Sequence, residues 1–243
     1  MGQGTENVAE AVVLIPGLMC DARVFQYQIN ALSASRAVMI APAVVGERIE
    51  EMASALLDAL PQRMALAGVG LGGTVAIEIL RRAPERVNRI ALMGVDPQAD
   101  TPAIAAERDL QIVRARSGRL DDVMAQVLPP DHLAPGPGRM EVQSLIRTMA
   151  QDLGAELFVR QTRAMQRRRD YQGELRRIKV PATVMGGAED RAIPPKRQQF
   201  MADLIPKARL HMIEDAGRMP MVEQPQATLR ALNAWLVQPL ILG

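Results

Sequence analysis

Apolar residues follow two rhythms that alternate over the first hundred positions. Short, nearly continuous apolar runs at Ala11–Ile15, Ala37–Ile40, Met64–Val69 and Arg89–Val95 predict buried strands. Between them, Arg23–Leu32 reads as a helix, and Ile49–Leu60 carries Met52, Ala53, Leu56, Leu57 and Leu60 at helical spacing. Leu71, Val75 and Ile79 mark a third helix that runs to Ala83. Strands alternating with helices across short loops predict an α/β fold on a mostly parallel central sheet flanked by helices.

The rhythm changes between Thr101 and Arg177. Pro102–Arg116, Leu120–Leu128, Met140–Leu153 and Ala155–Arg169 all carry helical patterns, punctuated by Pro129-Pro130 and Pro135-Gly136-Pro137-Gly138. The α/β pattern resumes with strands at Val180–Met185 and Leu210–Ile213 and ends with a helix at Gln226–Val237. The expected organisation is a core of residues 1–100 and 178–243, with a helical cap inserted at 101–177 over one end of the sheet. There is no internal repeat or low-complexity tract.

The 243 residues suit one large domain with such an insertion. Aromatic residues make up only 2%, so Leu, Val, Ile and 15 Met must fill the core. The single cysteine, Cys20, excludes an internal disulfide and suits a reducing cytoplasm. Residues 1–10 hold Glu6 and Glu10 without a basic cluster, unlike a secretory leader, and Glu6 also breaks a myristoylation motif. No apolar run approaches a membrane span.

Net charge is +2, which gives no polyanion signal. A local cluster of Arg160, Arg163, Arg167, Arg168 and Arg169 precedes Arg176, Arg177 and Lys179, with only Tyr171 and Phe158 nearby for stacking. It reads as a solvated helix face rather than a nucleic-acid surface. The expected partner is a small molecule, with no metal or cofactor. Oligomeric state is open, because the apolar tail Leu236–Leu242 could pack on the body or on a second subunit.

The chemistry centres on Leu66-Ala67-Gly68-Val69-Gly70-Leu71-Gly72-Gly73, where the third core strand breaks at glycines and restarts as a helix. The G-x-S-x-G nucleophile elbow is such a turn, lifting a serine hydroxyl above the sheet. Gly68 and Gly72 supply the frame, but Gly70 holds the middle position. Glycine accepts the positive φ of such a turn and should relieve roughly 1 kcal/mol of strain. The other reading is a tight-turn glycine of a nucleotide-binding fold. The spacing there is G-x-G-x-G-G rather than G-x-G-x-x-G, and Asp96 lies near the place where the ribose-binding acid would fall.

Taken with three further segments, the turn resembles the α/β-hydrolase superfamily, in particular its small esterase and enol-lactonase-like members with a helical cap. Pro16-Gly17-Leu18-Met19 resembles the oxyanion loop, with Pro16 where a histidine is frequent. Gly186-Gly187-Ala188-Glu189-Asp190, followed by Ile193-Pro194, resembles the segment carrying the triad acid. Asp215-Ala216-Gly217-Arg218-Met219-Pro220, with Glu223 and Pro225, resembles the segment carrying the triad histidine. The order elbow, acid, base is that of the family. The resemblance spans nearly the whole chain, and the family's extra amino-terminal hairpin is expected to be missing.

By this resemblance Asp190 is the retained acid, Gly70 stands at the serine position and Arg218 at the histidine position. Arginine stays protonated at ordinary pH and cannot act as a general base. His211 falls inside a strand and His132 in the proline-rich cap. Ser33, Ser35, Ser54, Ser117 and Ser144 lie outside any elbow, and the Thr74 hydroxyl is placed to bond a backbone carbonyl. Cys20 follows the oxyanion loop and could face the pocket, but no basic partner is visible for it. The backbone N–H groups of Leu18 and Leu71, with the helix N-terminus, should still favour negative charge. Arg218 either pairs with Asp190 or anchors a ligand. Two functions follow: a degenerate member that binds a small carbonyl or anionic ligand, or an enzyme working through unconventional residues, such as an isomerase, a lyase, or a hydrolase using water activated by Asp190.

Overall fold

A computed structural model describes residues 10–240. The residues read for a leader or a myristoylation signal, 1–9, and the end of the apolar tail, 241–243, lie outside the described residues.

Six strands form one parallel sheet: β1 (Ala11–Ile15), β2 (Val38–Ile40), β3 (Met64–Val69), β4 (Val87–Met93), β5 (Ala182–Gly187) and β6 (Arg209–Ile213), in the order β2-β1-β3-β4-β5-β6. The central strands read as continuous apolar runs because both faces are covered. In β1, Val12 and Leu14 enter one core cluster while Val13 and Ile15 enter the other. The period of two along a strand sends successive side chains to opposite faces.

Between the strands lie α1 (Gln26–Leu32), α2 (Ile49–Leu57) and α3 (Leu71–Arg82). After β4 come α4 (Pro102–Arg116), α5 (Leu120–Val127), α6 (Arg139–Gln166) and the short α7 (Gln172–Leu175). The chain then adds α8 (Pro195–Leu204), α9 (Pro220–Glu223) and α10 (Pro225–Leu236). Helices α2, α3, α7 and α8 bury residues such as Met52, Val75, Leu175 and Met201 against one face of the sheet. The other face is covered by α1, α10 and the inserted helices, through Leu32, Trp235, Met124 and Phe158.

The inserted segment is helical as expected. The two helices predicted on either side of Gly154 form one element broken there, where Gly154 takes φ 80° and ψ 164°. Helix α8 was not predicted: only Gln198, Met201 and Ala202 of its residues are buried, too few to give an apolar stripe. The described helices include none long and apolar enough to cross a membrane.

Most of the arginine cluster is the solvated face expected: Arg160, Arg167, Arg169, Arg176, Arg177 and Lys179 are exposed, and Arg168 is the exception. Arg163 and Arg167 both reach Glu47, and Arg169 pairs with Glu174 and stands 5.4 Å over the Tyr171 ring. Arg168 is buried against Asp100. Glu47 and Asp100 are distant in sequence from the arginines they hold, which a local charge run cannot reveal.

Candidate functional site

The loops at the carboxyl ends of β1, β3, β4, β5 and β6 converge at one end of the sheet, where ligands of open parallel sheets bind. Gly70 forms the turn from β3 into α3 with φ 50° and ψ −112°. That pair of angles lies outside the main wells of a residue bearing a Cβ, so a side chain there is held under strain. The turn is pinned by the Gly70 N–H donating to Met93 O (2.9 Å), while Gly70 O accepts from the Thr74 N–H (3.0 Å) and hydroxyl (3.3 Å). The hydroxyl thus makes the backbone bond expected of it. Gly72 is required for a different reason: a Cβ there would lie 2.2 Å from Ile15 O and 2.4 Å from Pro16 O. Helix α3 therefore crosses directly over the end of β1.

The same end of the sheet receives Asp190 and Arg218. Asp190 is 2% exposed, and its Oδ1 accepts the N–H groups of Ala192 (2.8 Å) and Ile193 (2.9 Å). Arg218 Nη1 donates to Gly94 O (2.8 Å) and to Asp190 Oδ2 (3.3 Å). Nη2 makes no hydrogen bond with a described residue, and it lies 3.3 Å from where a Cβ on Gly70 would stand. Gly70, Asp190 and Arg218 are thus brought together, and Arg218 does pair with Asp190 while keeping one nitrogen open.

The loop carrying Arg218 is held by Glu223, whose carboxylate accepts the N–H groups of Gly217 (3.0 Å), Met219 (2.8 Å) and Ala134 (2.7 Å). The Arg218 N–H donates to His132 O (2.8 Å). The inserted segment and the Arg218 loop are therefore clasped together by that backbone bond and by the shared Glu223 carboxylate.

A cavity of about 360 Å³ opens here, lined by Leu18, Cys20, Gly70, Leu71 and Arg218 among others. Its size suits a small molecule. Leu71 opens α3, so its N–H has no intrahelical acceptor, and the Leu18 N–H makes no bond with a described residue. The N–H of the next residue, Met19, is taken by Gln161 Oε1 (2.9 Å), whose amide nitrogen donates to Ala43 O (3.0 Å). Gln161 of α6 therefore fixes the Leu18 loop, including Met19 at φ 53°. Sequence reasoning missed it, since a glutamine in a helix carries no signal of a loop 142 residues away.

Cys20 faces the cavity as expected, yet burial pushes its thiol up to about 12, with Asp21 adding to the shift and Arg218 opposing it. A thiol so protonated is a poor nucleophile. Among the described residues that line the cavity there is no serine, threonine or histidine. His132 contributes its backbone oxygen to the Arg218 loop, and His211 lies in β6 beside a separate surface depression. Asp96 is engaged with Arg197 (2.9 Å) at the cavity edge.

The sequence profile of the alpha/beta hydrolase family matches residues 12–231, and the chain belongs to that family. It is 28% identical over 197 residues to a pimeloyl-[acyl-carrier protein] methyl ester esterase of Aromatoleum aromaticum, covering 74% of this chain and 77% of that protein. Among solved structures it is similar to a thermophilic esterase of Thermogutta terrifontis with malate bound. The TM-score there is 0.84 at 25% identity, over 93% of this chain and 89% of that one. The enol-lactonase of Burkholderia xenovorans LB400 shares the fold at TM-score 0.84 and 24% identity, over 97% and 94% of the two chains.

Proposed function

We propose that this chain is an α/β-hydrolase in which Gly70 and Arg218 replace the serine and histidine of the triad. Its cavity then binds a small carbonyl-bearing or anionic molecule, with little or no serine-hydrolase turnover. The observation that carries this reading is the placement of Arg218 Nη2 at 3.3 Å from the Cβ position of Gly70. A nucleophile and its base must lie within hydrogen-bond reach of each other. Here that space holds a turn without a side chain and a cation that cannot accept a proton. What remains is suited to binding: the N–H groups of Leu18 and Leu71, the N-terminus of α3, and one open guanidinium nitrogen. In this reading residues 101–177 act as the cap over the bound molecule. The malate on the Thermogutta esterase is a ligand of the proposed class.

The ester-cleaving names of the relatives favour a second reading, in which the chain is an enzyme acting through water activated by Asp190. The engagement of Asp190 argues against it. One oxygen accepts two backbone N–H groups, the other faces Arg218, and the side chain is 1% exposed. A carboxylate so occupied has no open face for an attacking water.

The test pairs labelling with binding. A serine-directed fluorophosphonate should leave the natural protein unlabelled, and calorimetry should show small monocarboxylates binding with an affinity that Arg218→Met lowers roughly tenfold or more. Labelling of the natural protein, or binding indifferent to Arg218→Met, overturns the proposal.

A further inference from the structure

The inserted helices contribute a second wall to the cavity, on which Glu107, Arg108, Gln111, Gln126 and Arg168 stand among apolar residues. Asp100, just before α4, has a side chain 1% exposed and holds two guanidiniums at once. Its Oδ2 accepts from Arg108 Nε (2.5 Å) and its Oδ1 from Arg168 Nη1 (2.5 Å). One carboxylate against two arginines leaves one guanidinium without its own partner, and Glu107, which also lines the cavity, makes no ion pair with a described residue. Arg168 is 7% exposed and its Nε is buried without an acceptor. Its Nη2 and both Nη nitrogens of Arg108 make no hydrogen bond with a described residue. Gln111, one turn along α4 from Arg108 and 9% exposed, likewise has no partner for its amide. Arg108, Gln111 and Arg168 all line the cavity.

A purely structural ion pair would need one arginine for one aspartate. Asp100 balances one guanidinium, so the second is left to be met by another anion in the cavity. Arginine's planar fork matches a carboxylate in bidentate fashion, and an amide donor beside it completes such a subsite. Asp100 would then serve to fix the two forks rather than to neutralise them.

We infer that Arg108, Gln111 and Arg168 form a second carboxylate subsite, so that the ligand of this cavity carries a carboxylate at the cap end. Its carbonyl or acidic group lies at the Arg218 end. The ligand class is a small dicarboxylate or a keto or ester derivative of one. This rests on the reading of the head of the sheet as a ligand site. The inserted segment on this account selects the ligand by charge as well as covering it.

The experiment is calorimetric titration of the intact chain with linear dicarboxylates from succinate to suberate, each against the monocarboxylate of equal length. At least one dicarboxylate should bind roughly tenfold or more tightly than its monocarboxylate partner. Arg168→Gln and Arg108→Gln should each remove that advantage, so that the dicarboxylate binds no better than its monocarboxylate partner. Arg108 is partly exposed, so its variant gives the answer should the buried Arg168→Gln fail to fold. Arg218→Met should weaken both ligand series. If monocarboxylates bind through Arg218 but a second carboxylate adds nothing, or its advantage survives in both cap variants, the subsite is overturned while the sheet-head site stands. If no carboxylate of either series binds, both fall.

Discussion

Gly70→Ala isolates the strain in the turn between β3 and α3, and its cost can be worked from the geometry. The first part is backbone strain: φ 50° with ψ −112° is a conformation that an added Cβ disfavours by about 1–2 kcal/mol. The second part is displacement, because the new methyl would stand 3.3 Å from Arg218 Nη2. That guanidinium is tethered through Nη1 to Gly94 O and Asp190, and loosening a charge-assisted bond costs about 1 kcal/mol or more. The sum is about 2–3 kcal/mol, a fall in Tm of roughly 4–12 °C for a chain this size. In an Arg218→Met background nothing needs displacing, so the same change should cost only about 1–2 kcal/mol. Urea unfolding followed by the fluorescence of Trp235, the only tryptophan and fully buried, reads both values. A cost below about 0.5 kcal/mol in the natural background would mean a relaxed backbone at Gly70, and the elbow argument would be wrong.

Gln161→Ala should strand the Met19 N–H and the Ala43 carbonyl together, costing about 1–3 kcal/mol and weakening carboxylate binding as the Leu18 loop loosens; a stable variant with unchanged affinity would remove Gln161 from the account. For Cys20, the folded thiol titrates near 12, above its ordinary value of 9.0. The stability tied to its protonated form is therefore complete below pH 9 and is lost as pH rises from there toward 12. A Cys20→Ala variant should lack that alkaline component, and the native thiol should resist iodoacetamide at pH 8 until the protein is unfolded. Rapid alkylation of the folded protein would contradict the burial argument.

The sheet was legible in the sequence because its central strands are buried on both faces, leaving unbroken apolar runs such as Met64–Val69. The turn from β3 into α3, where the candidate site lies, was legible for a related reason. Gly68, Gly70 and Gly72 are demanded by backbone geometry within a few residues, and such local demands leave a local mark. The pairing of Arg218 with Asp190 stood as one of two readings, and the geometry shows that it coexists with an open Nη2. What stayed hidden were contacts across long sequence separations. Arg168 looked like part of a solvated charge run because its partner, Asp100, lies 68 residues away. Gln161 looked like any helical glutamine. Helix α8 escaped because most of its surface faces solvent, leaving no periodic apolar stripe.

The central claim is that a scaffold for presenting a reactive hydroxyl persists in a chain that lacks both the hydroxyl and its base. Its most direct test is the paired substitution Gly70→Ser and Arg218→His, assayed on p-nitrophenyl acetate beside the natural protein, with fluorophosphonate labelling mapped by mass spectrometry. The account predicts a rise in hydrolysis of orders of magnitude over the natural protein, whose oxyanion donors alone could sustain about 10³–10⁴ over water, together with new labelling at position 70. A folded double variant no more active than its parent, and unlabelled there, would contradict it.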